Sequence, residues 1–387
     1  MHKVVPCKKI APYLRTMGTA MTSRADSLFV WTRPGLAVFP LLFALLPLSS
    51  AFADHSTPLF SDDSIIKATI RAPFSDIMRQ RSDDFEPEGT FEYEDDNGEK
   101  KTFDIKVRSR GNFRARPDVC DFTPLRLNFK KKQVAGTEFE GQDKLKMVTH
   151  CELDGRHQEQ LVLREYLTYR FYATLTDDAF RVRLLEVTYR DSNRRMKRKT
   201  RYAFLLETRD QVAERTHIRF ANVASLKFDQ LDQERTNLVT VFSYFIGNTD
   251  FSAIRGPKDE HCCHNVMLLT SKTGYFVPVP FDFDFSGMVD APYAAPNPRF
   301  ELSSVRDRLY RGLCRNNKLL PATLALFKEN RGEIQALVDN LDALGGQTRK
   351  KLNNYIADFY KIIEEESMVE QEFLTECSAA TEPPVPT

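Results

Sequence analysis

Along the chain, apolar and polar positions first alternate and then shift to a three-to-four-residue period. The runs Ile65–Arg71, Gly89–Glu94, Thr102–Arg108, Leu125–Phe129 and Lys144–Val148 read as strands. Asn97-Gly98, between the second and third of them, marks a hairpin. The period changes in Gln158–Leu175, where Leu163, Tyr166, Leu167, Phe171 and Leu175 share one helical face. Asp154-Gly155 supplies a turn before that helix. Val182–Tyr189 and Tyr202–Glu207 return to strand, joined by the basic stretch Asp191–Arg201, which reads as a solvated hairpin tip. After about residue 209 the pattern is mainly helical. Leu238, Val241, Phe242 and Phe245 predict a buried helix that stops near Gly247. Val266–Leu269 and Tyr275–Val279 form a small hairpin. Further helices are predicted over Leu319–Lys328, Glu333–Leu344 and Arg349–Cys377. Residues 54–208 are therefore β-rich with one long helix, 209–378 helical with a β insertion, and 379–387 a frayed tail.

One apolar stretch, Gly35–Ala53, stands apart from this pattern. Arg24 and Arg33 precede it, prolines interrupt it, and it ends Ala51-Phe-Ala53. A basic start, a short apolar core and a small-x-small ending describe a secretory signal over residues 1–53. The chain is then expected to be exported, periplasmic or extracellular, with no stable membrane span once the signal is cleaved. Six cysteines follow the leader, an even number that permits disulfides outside the cytoplasm. Cys120 is expected to pair with Cys151, and Cys262 or Cys263 with Cys314 or Cys377. Fifty-five Lys and Arg against 54 Asp and Glu give a net charge of +1, so no global basic field points to a nucleic-acid partner.

The chemistry-bearing residues gather in three pieces: Gly247–Phe251, Cys263–Asn265 and Pro280–Gly287. Asp250 follows the buried helix, Asn265 opens a strand, and Asp282 and Asp284 follow the next strand. Two strands in a hairpin bring the start of one beside the end of the other, so Asn265 is expected next to Asp282, with Asp250 in the same cleft. Carboxylates and an amide oxygen are hard ligands suited to a divalent cation that bridges to phosphates. Asp284 is expected to join them only if residues 281–285 are extended, because residues two apart then face the same way. Four consecutive ligand types in His261–His264 diverge along the backbone and argue against zinc. Asp282 and Asp284 are too close in sequence for the opposed carboxylate pair of a glycosidase. No Gly-rich G-x-G-x-x-G loop and no G-x-S-x-G elbow occurs.

Several pieces resemble, in order, the spore coat protein H (CotH) kinase-like family. They are Arg110-Gly-Asn112, the Pro124–Phe129 strand, the helix around Gln160–Tyr166, Tyr202–Glu207, Asn248-Thr-Asp250, His264-Asn265 and Pro280-Phe-Asp-Phe-Asp284. The spacing of fifteen between Asp250 and Asn265 departs from the ordinary kinase pattern, with Phe251–Cys263 as an inserted loop. The resemblance implies an α+β, atypical protein-kinase-like bilobal fold with a β-rich N-lobe and a mainly helical C-lobe. It implies ATP with Mg or Mn as cofactors, and transfer to a hydroxyl of a protein substrate. Carried over, Asp250 is the catalytic residue and Asn265 and Asp282 ligate the metal, with Asp284 replacing or assisting Asp282. Kinase architecture adds a Lys–Glu pair, here Lys144 or Lys146 on the strand before the long helix with Glu165 on it. Arg110 and Arg126 are further phosphate-binding candidates. The alternative is a catalytically inactive kinase-like binding or scaffold protein of the cell envelope.

Overall fold

A computed structural model describes residues 57–152, 157–258 and 260–379. The signal reading, the Asp154-Gly155 turn and residues 380–387 of the tail lie outside the described residues. Seven strands form one sheet: β1 (Ile66–Ala72), β2 (Glu88–Glu94), β3 (Lys100–Ser109), β4 (Leu125–Phe129), β5 (Lys144–Val148), β6 (Val182–Asp191) and β7 (Lys199–Leu206). Their order is β1-β2-β3-β4-β5-β7-β6, and β6 pairs in parallel with β1 to close a barrel. A three-stranded sheet combines β8 (Arg219–Ala221), β9 (Val266–Thr270) and β10 (Phe276–Pro280). The helices are α1 (Pro58–Ser61), α2 (Phe74–Gln80), α3 (Lys131–Val134), α4 (His157–Leu175), α5 (Arg209–Thr216), α6 (Gln233–Ile246), α7 (Leu320–Glu329), α8 (Arg331–Asp339), α9 (Gly346–Glu364) and α10 (Glu366–Val369).

The closed barrel overturns the bilobal kinase-like architecture implied by the resemblance. Its cause is the β1–β6 ladder, Ile66 opposite Leu185 through Ala72 opposite Asp191, which leaves neither end of the sheet as an open edge. The apolar core also runs across the expected boundary at residue 209. Leu163, Val182 and Phe204 share one core cluster with Phe242, Phe283 and Phe359. A second cluster fills the barrel, with Val107, Leu127, Leu145, Met147, Leu185 and Leu205 all buried.

Local chemistry explains most element ends. The β2–β3 hairpin turns at Gly98 with φ 77°. Thr208 and Gln211 form a reciprocal capping box on α5. Asp232 caps α6, and Gly247 ends it at φ 64°. A Cβ on Gly247 would also lie 2.2 Å from the Tyr355 hydroxyl, so two constraints require glycine there. The helix expected over Arg349–Cys377 is broken: α9 stops at Glu364, and Glu365 is extended. The helix expected to run to Leu344 ends at Asp339.

Three disulfides form. Cys120 pairs with Cys151 as expected, and Cys314 with Cys377. Cys262 and Cys263 bond to each other, which corrects the pairing anticipated between them and the C-terminal cysteines. Among the described residues, no helix is long and apolar enough to cross a membrane.

Candidate functional site

Strand alternation determines what the outer barrel wall carries. With Val107, Leu127 and Leu145 turned inward, Arg108, Arg126 and Lys146 point outward. The register places Arg108 opposite Arg126, and Arg126 opposite Lys146. Like charges directly opposite on neighbouring strands destabilise a sheet unless something neutralises them. Arg108 is neutralised by Asp83 and Glu86. Arg126 and Lys146 have no such partner among the described residues; Lys146 lies 5.6 Å from the centre of the Phe281 ring. Burial, and then the nearby Arg110 and Arg209, pull the Lys146 ammonium down to about 8. These residues border a cleft of about 840 Å³ lined also by Gly111, Leu206 and Thr208. The lining also holds Asp83, Asp143, Glu207, Asp210 and Glu214, so the cleft is mixed in charge, and Arg126 and Lys146, which form no ion pair with a described residue, stay open to an anion.

The end of α6 builds the acidic side. Past Gly247, the Asn248 side chain accepts the Asp250 N–H at 2.9 Å, which holds Asp250 in a tight turn. The Asp250 carboxylate meets His264 Nε2 at 2.7 Å and accepts from Asn265 Nδ2 at 3.0 Å. That hydrogen bond raises the His264 imidazole above its ordinary range, against burial. Asn265 also donates to the Asp250 carbonyl at 2.8 Å, so its amide nitrogen is spent on Asp250. Its Oδ1 accepts from no described residue. The Phe281 N–H donates to the Asn265 carbonyl at 3.0 Å, which ties Asn265 to the residue before Asp282, as the hairpin argument required.

Asp282 has φ 63° and Asn265 φ 51°, so both sit in the left-handed region that Asp and Asn tolerate. Residues 281–285 therefore turn rather than extend. Asp282 is exposed, and its carboxylate has no hydrogen bond or ion pair with a described residue. Only its backbone N–H is engaged, donating to Tyr169 Oη at 2.8 Å. Asp284 is 6% exposed and accepts from the Tyr293 hydroxyl at 3.0 Å. The turn sends Asp284 inward, yet it stays in the field of Asp282, Arg114 and Asp250. Burial first, then Asp282, push its carboxyl up to about 7.

The Lys–Glu pair expected between Lys144 or Lys146 and Glu165 does not form. Lys144 is exposed on the strand, and Glu165 instead faces Arg114 at 3.8 Å. Burial and then Asp284 raise the Glu165 carboxyl well above the usual carboxylate range. Arg110 lines the cationic cleft and also feels the charge of Asp282. Burial lowers its guanidinium, and Asp282 opposes that effect most. Sequence reasoning missed Arg114, Tyr169 and Arg209; it noted Tyr293 beside the acidic motif with core packing as the default, and it gave His264 no role beyond a rejected zinc site and the His264-Asn265 motif. Arg114 carried a signal, four residues after Arg110 in a loop of basic and aromatic residues. Tyr169 carried none, because an aromatic residue within an apolar helix is ordinarily core.

No protein-family model matches the chain. No curated protein matches it either. The site's own chemistry must therefore carry any functional reading. Among the described residues, no group of three or more His, Cys, Asp or Glu side chains is drawn together as a metal cage. That arrangement suits Mg²⁺ poorly as a tightly caged ion. It suits Mg²⁺ well as an ion taken by one or two protein oxygens together with substrate phosphates. The free oxygens of Asp282 and Asn265 fit the second case.

Proposed function

We propose that the protein is an exported phosphotransferase. It takes a phosphoryl group from ATP, held with Mg²⁺ or Mn²⁺, and passes it to a hydroxyl of a protein acceptor. The observation that carries this reading is a cleft in which Arg126 and Lys146 form no ion pair with a described residue, near the unpartnered oxygens of Asp282 and Asn265. Arg126, Lys146 and Arg110 would receive the phosphates. Asp282 and the Asn265 Oδ1 would hold the cation, which supplies charge neutralisation at the transferring phosphoryl group. Asp250 with its bonded His264 would accept the acceptor's proton as the new P–O bond forms and the bond to the β-phosphate oxygen breaks. Export is supported by the signal-like leader and by three disulfides. The motif order that resembles the CotH kinase-like family is consistent with this chemistry, although the barrel is not the fold that the resemblance implied.

A specific observation favours a second reading. The lack of a ready metal cage among the described residues, with no Gly-rich phosphate loop in the sequence, fits an inactive envelope-binding protein. The decisive measurement is thermal unfolding of the purified protein with ATP and Mn²⁺ or Mg²⁺, paired with transfer from labelled ATP. A rise in melting temperature that needs both nucleotide and metal is expected. No rise with either metal would leave the binding-protein reading in its place.

A further inference from the structure

Behind the Asp250 loop lies a second cavity, of about 380 Å³, which the phosphotransfer reading does not use. Its walls are mainly apolar, formed by Val239 of α6, Phe251, Ile254, Pro278 of β10, Phe300 and Leu313. Two arginines, Arg299 and Arg311, open onto the same space. The Arg311 guanidinium is sandwiched near two rings, 4.6 Å from the centre of Phe251 and 5.1 Å from that of Phe300. Its Nη1 donates to the carbonyls of Thr249 at 3.0 Å and Phe251 at 2.8 Å. Its Nε and Nη2 find no acceptor among the described residues, and neither arginine has a carboxylate partner there. Burial and the neighbouring Arg299 pull Arg311 down to about 10, while Asp250 opposes them. Glu376 is the one acid on the lining; it is exposed and bridges to neither arginine.

An apolar chamber normally excludes a guanidinium unless an anion accompanies it. A planar fork with free N–H groups matches a carboxylate in shape and charge. The volume is at the small end of the range for ligand pockets, about 300–1,000 Å³. We infer that this cavity binds a small apolar carboxylate, its hydrocarbon body against Val239, Ile254 and Phe300 and its carboxylate on Arg299 and Arg311. The site is independent of phosphotransfer, although Arg311 links it to the backbone of the Asp250 loop.

The test uses the purified protein and the fluorescent probe anilinonaphthalene sulfonate, displaced by decanoate or by its neutral counterpart decanol. Saturable probe binding is expected, with decanoate displacing at a concentration at least tenfold lower than decanol. Arg299→Met, which removes no protein hydrogen bond of that side chain, should shrink the preference to under threefold. Ala253→Leu, which fills the chamber, should weaken displacement by both at least tenfold. Equal displacement by acid and alcohol, or an unchanged preference in Arg299→Met, would overturn the inference. So would the absence of saturable probe binding. Binding that appears only after residues 380–387 are deleted would also overturn it, and would assign the cavity to the chain's own C-terminal segment.

Discussion

Two buried ion clusters in this protein are built from the same residue types and are bonded very differently. Around Arg215, every arm of the guanidinium is used. Nε and Nη2 reach Glu207 at 3.1 and 2.9 Å, Nη1 reaches the Asp177 carbonyl at 2.8 Å, and Nη2 also reaches the Ala179 carbonyl at 2.6 Å. Glu207 accepts the Arg181 N–H at 3.0 Å as well. Around Arg114, Nη2 donates to the Thr149 carbonyl, the nearest carboxylate is Glu165 at 3.8 Å, and Nε is buried without a partner. Burial pushes both the Glu165 and Asp284 carboxyls upward, helped at Glu165 by the Asp284 charge and at Asp284 by that of Asp282. The first cluster offsets its desolvation through hydrogen bonds and locks α5 to the barrel. In the second the surroundings favour the Arg114 charge but leave the carboxylates Glu165 and Asp284 disfavoured, and a disfavoured buried charge is where a ligand or a reaction has most to gain.

The largest effect should come from breaking the satisfied cluster. Arg215→Met strands a buried Glu207 and should cost about 3–5 kcal/mol in urea unfolding. Asp284→Asn, measured alongside at pH 8, should leave stability unchanged or raised, because it removes a carboxylate that burial disfavours. A loss in Asp284→Asn comparable to that in Arg215→Met would erase the contrast between the clusters.

Activity provides the next test. Asp282→Asn keeps a residue that tolerates the left-handed backbone but removes the charge, and metal-dependent transfer should fall at least a hundredfold. The melting temperature without metal should scarcely move, since the side chain is exposed and unpartnered. Unimpaired transfer would remove Asp282 from the metal site. Lys146→Met should weaken nucleotide binding about tenfold, or about 1.4 kcal/mol, in a titration. Because Lys146 is crowded by Arg110 and Arg209, its removal should not lower the melting temperature. A lowered melting temperature with intact nucleotide affinity would make the cation row structural.

The last test reads a slope rather than a loss at one pH, and it concerns a third buried group. His150 is 1% exposed, stacks on Phe122 at 4.6 Å and leaves Nδ1 unpartnered. Burial holds its imidazole down to about 3, against an ordinary value of 6.5. The unfolded chain therefore binds the extra proton between these values, and the folded one does not. Stability contributed by the neutral ring is present above 6.5 and is lost as pH falls toward 3, by at most about 1.4 kcal/mol per pH unit. Unfolding curves of His150→Gln should show a shallower acid slope over that window. An identical slope would mean that other groups govern the acid limb.

Much of this molecule was legible locally. Alternation or β-branched and apolar runs marked all seven barrel strands, Asn97-Gly98 marked their first hairpin, and Gly247 marked the stop that delivers Asp250. Asn265 falls beside the Asp282 segment because a hairpin leaves no other choice. What could not be read there depends on pairing between distant segments. The β1–β6 ladder joins residues more than a hundred apart, and no periodicity within either strand names its partner. The same holds for Glu165, whose helical position was correct but whose partner proved to be Arg114 rather than Lys146. It holds too for Cys262 and Cys263, which bond to each other while Cys314 finds Cys377. The sequence by itself determined the barrel strands, the long helices and the turns between them, though not every helix end, because those preferences arise within a few residues of backbone. Only the tertiary structure decided which charges are satisfied and which are left for chemistry, because burial and partner geometry exist only once distant segments have packed.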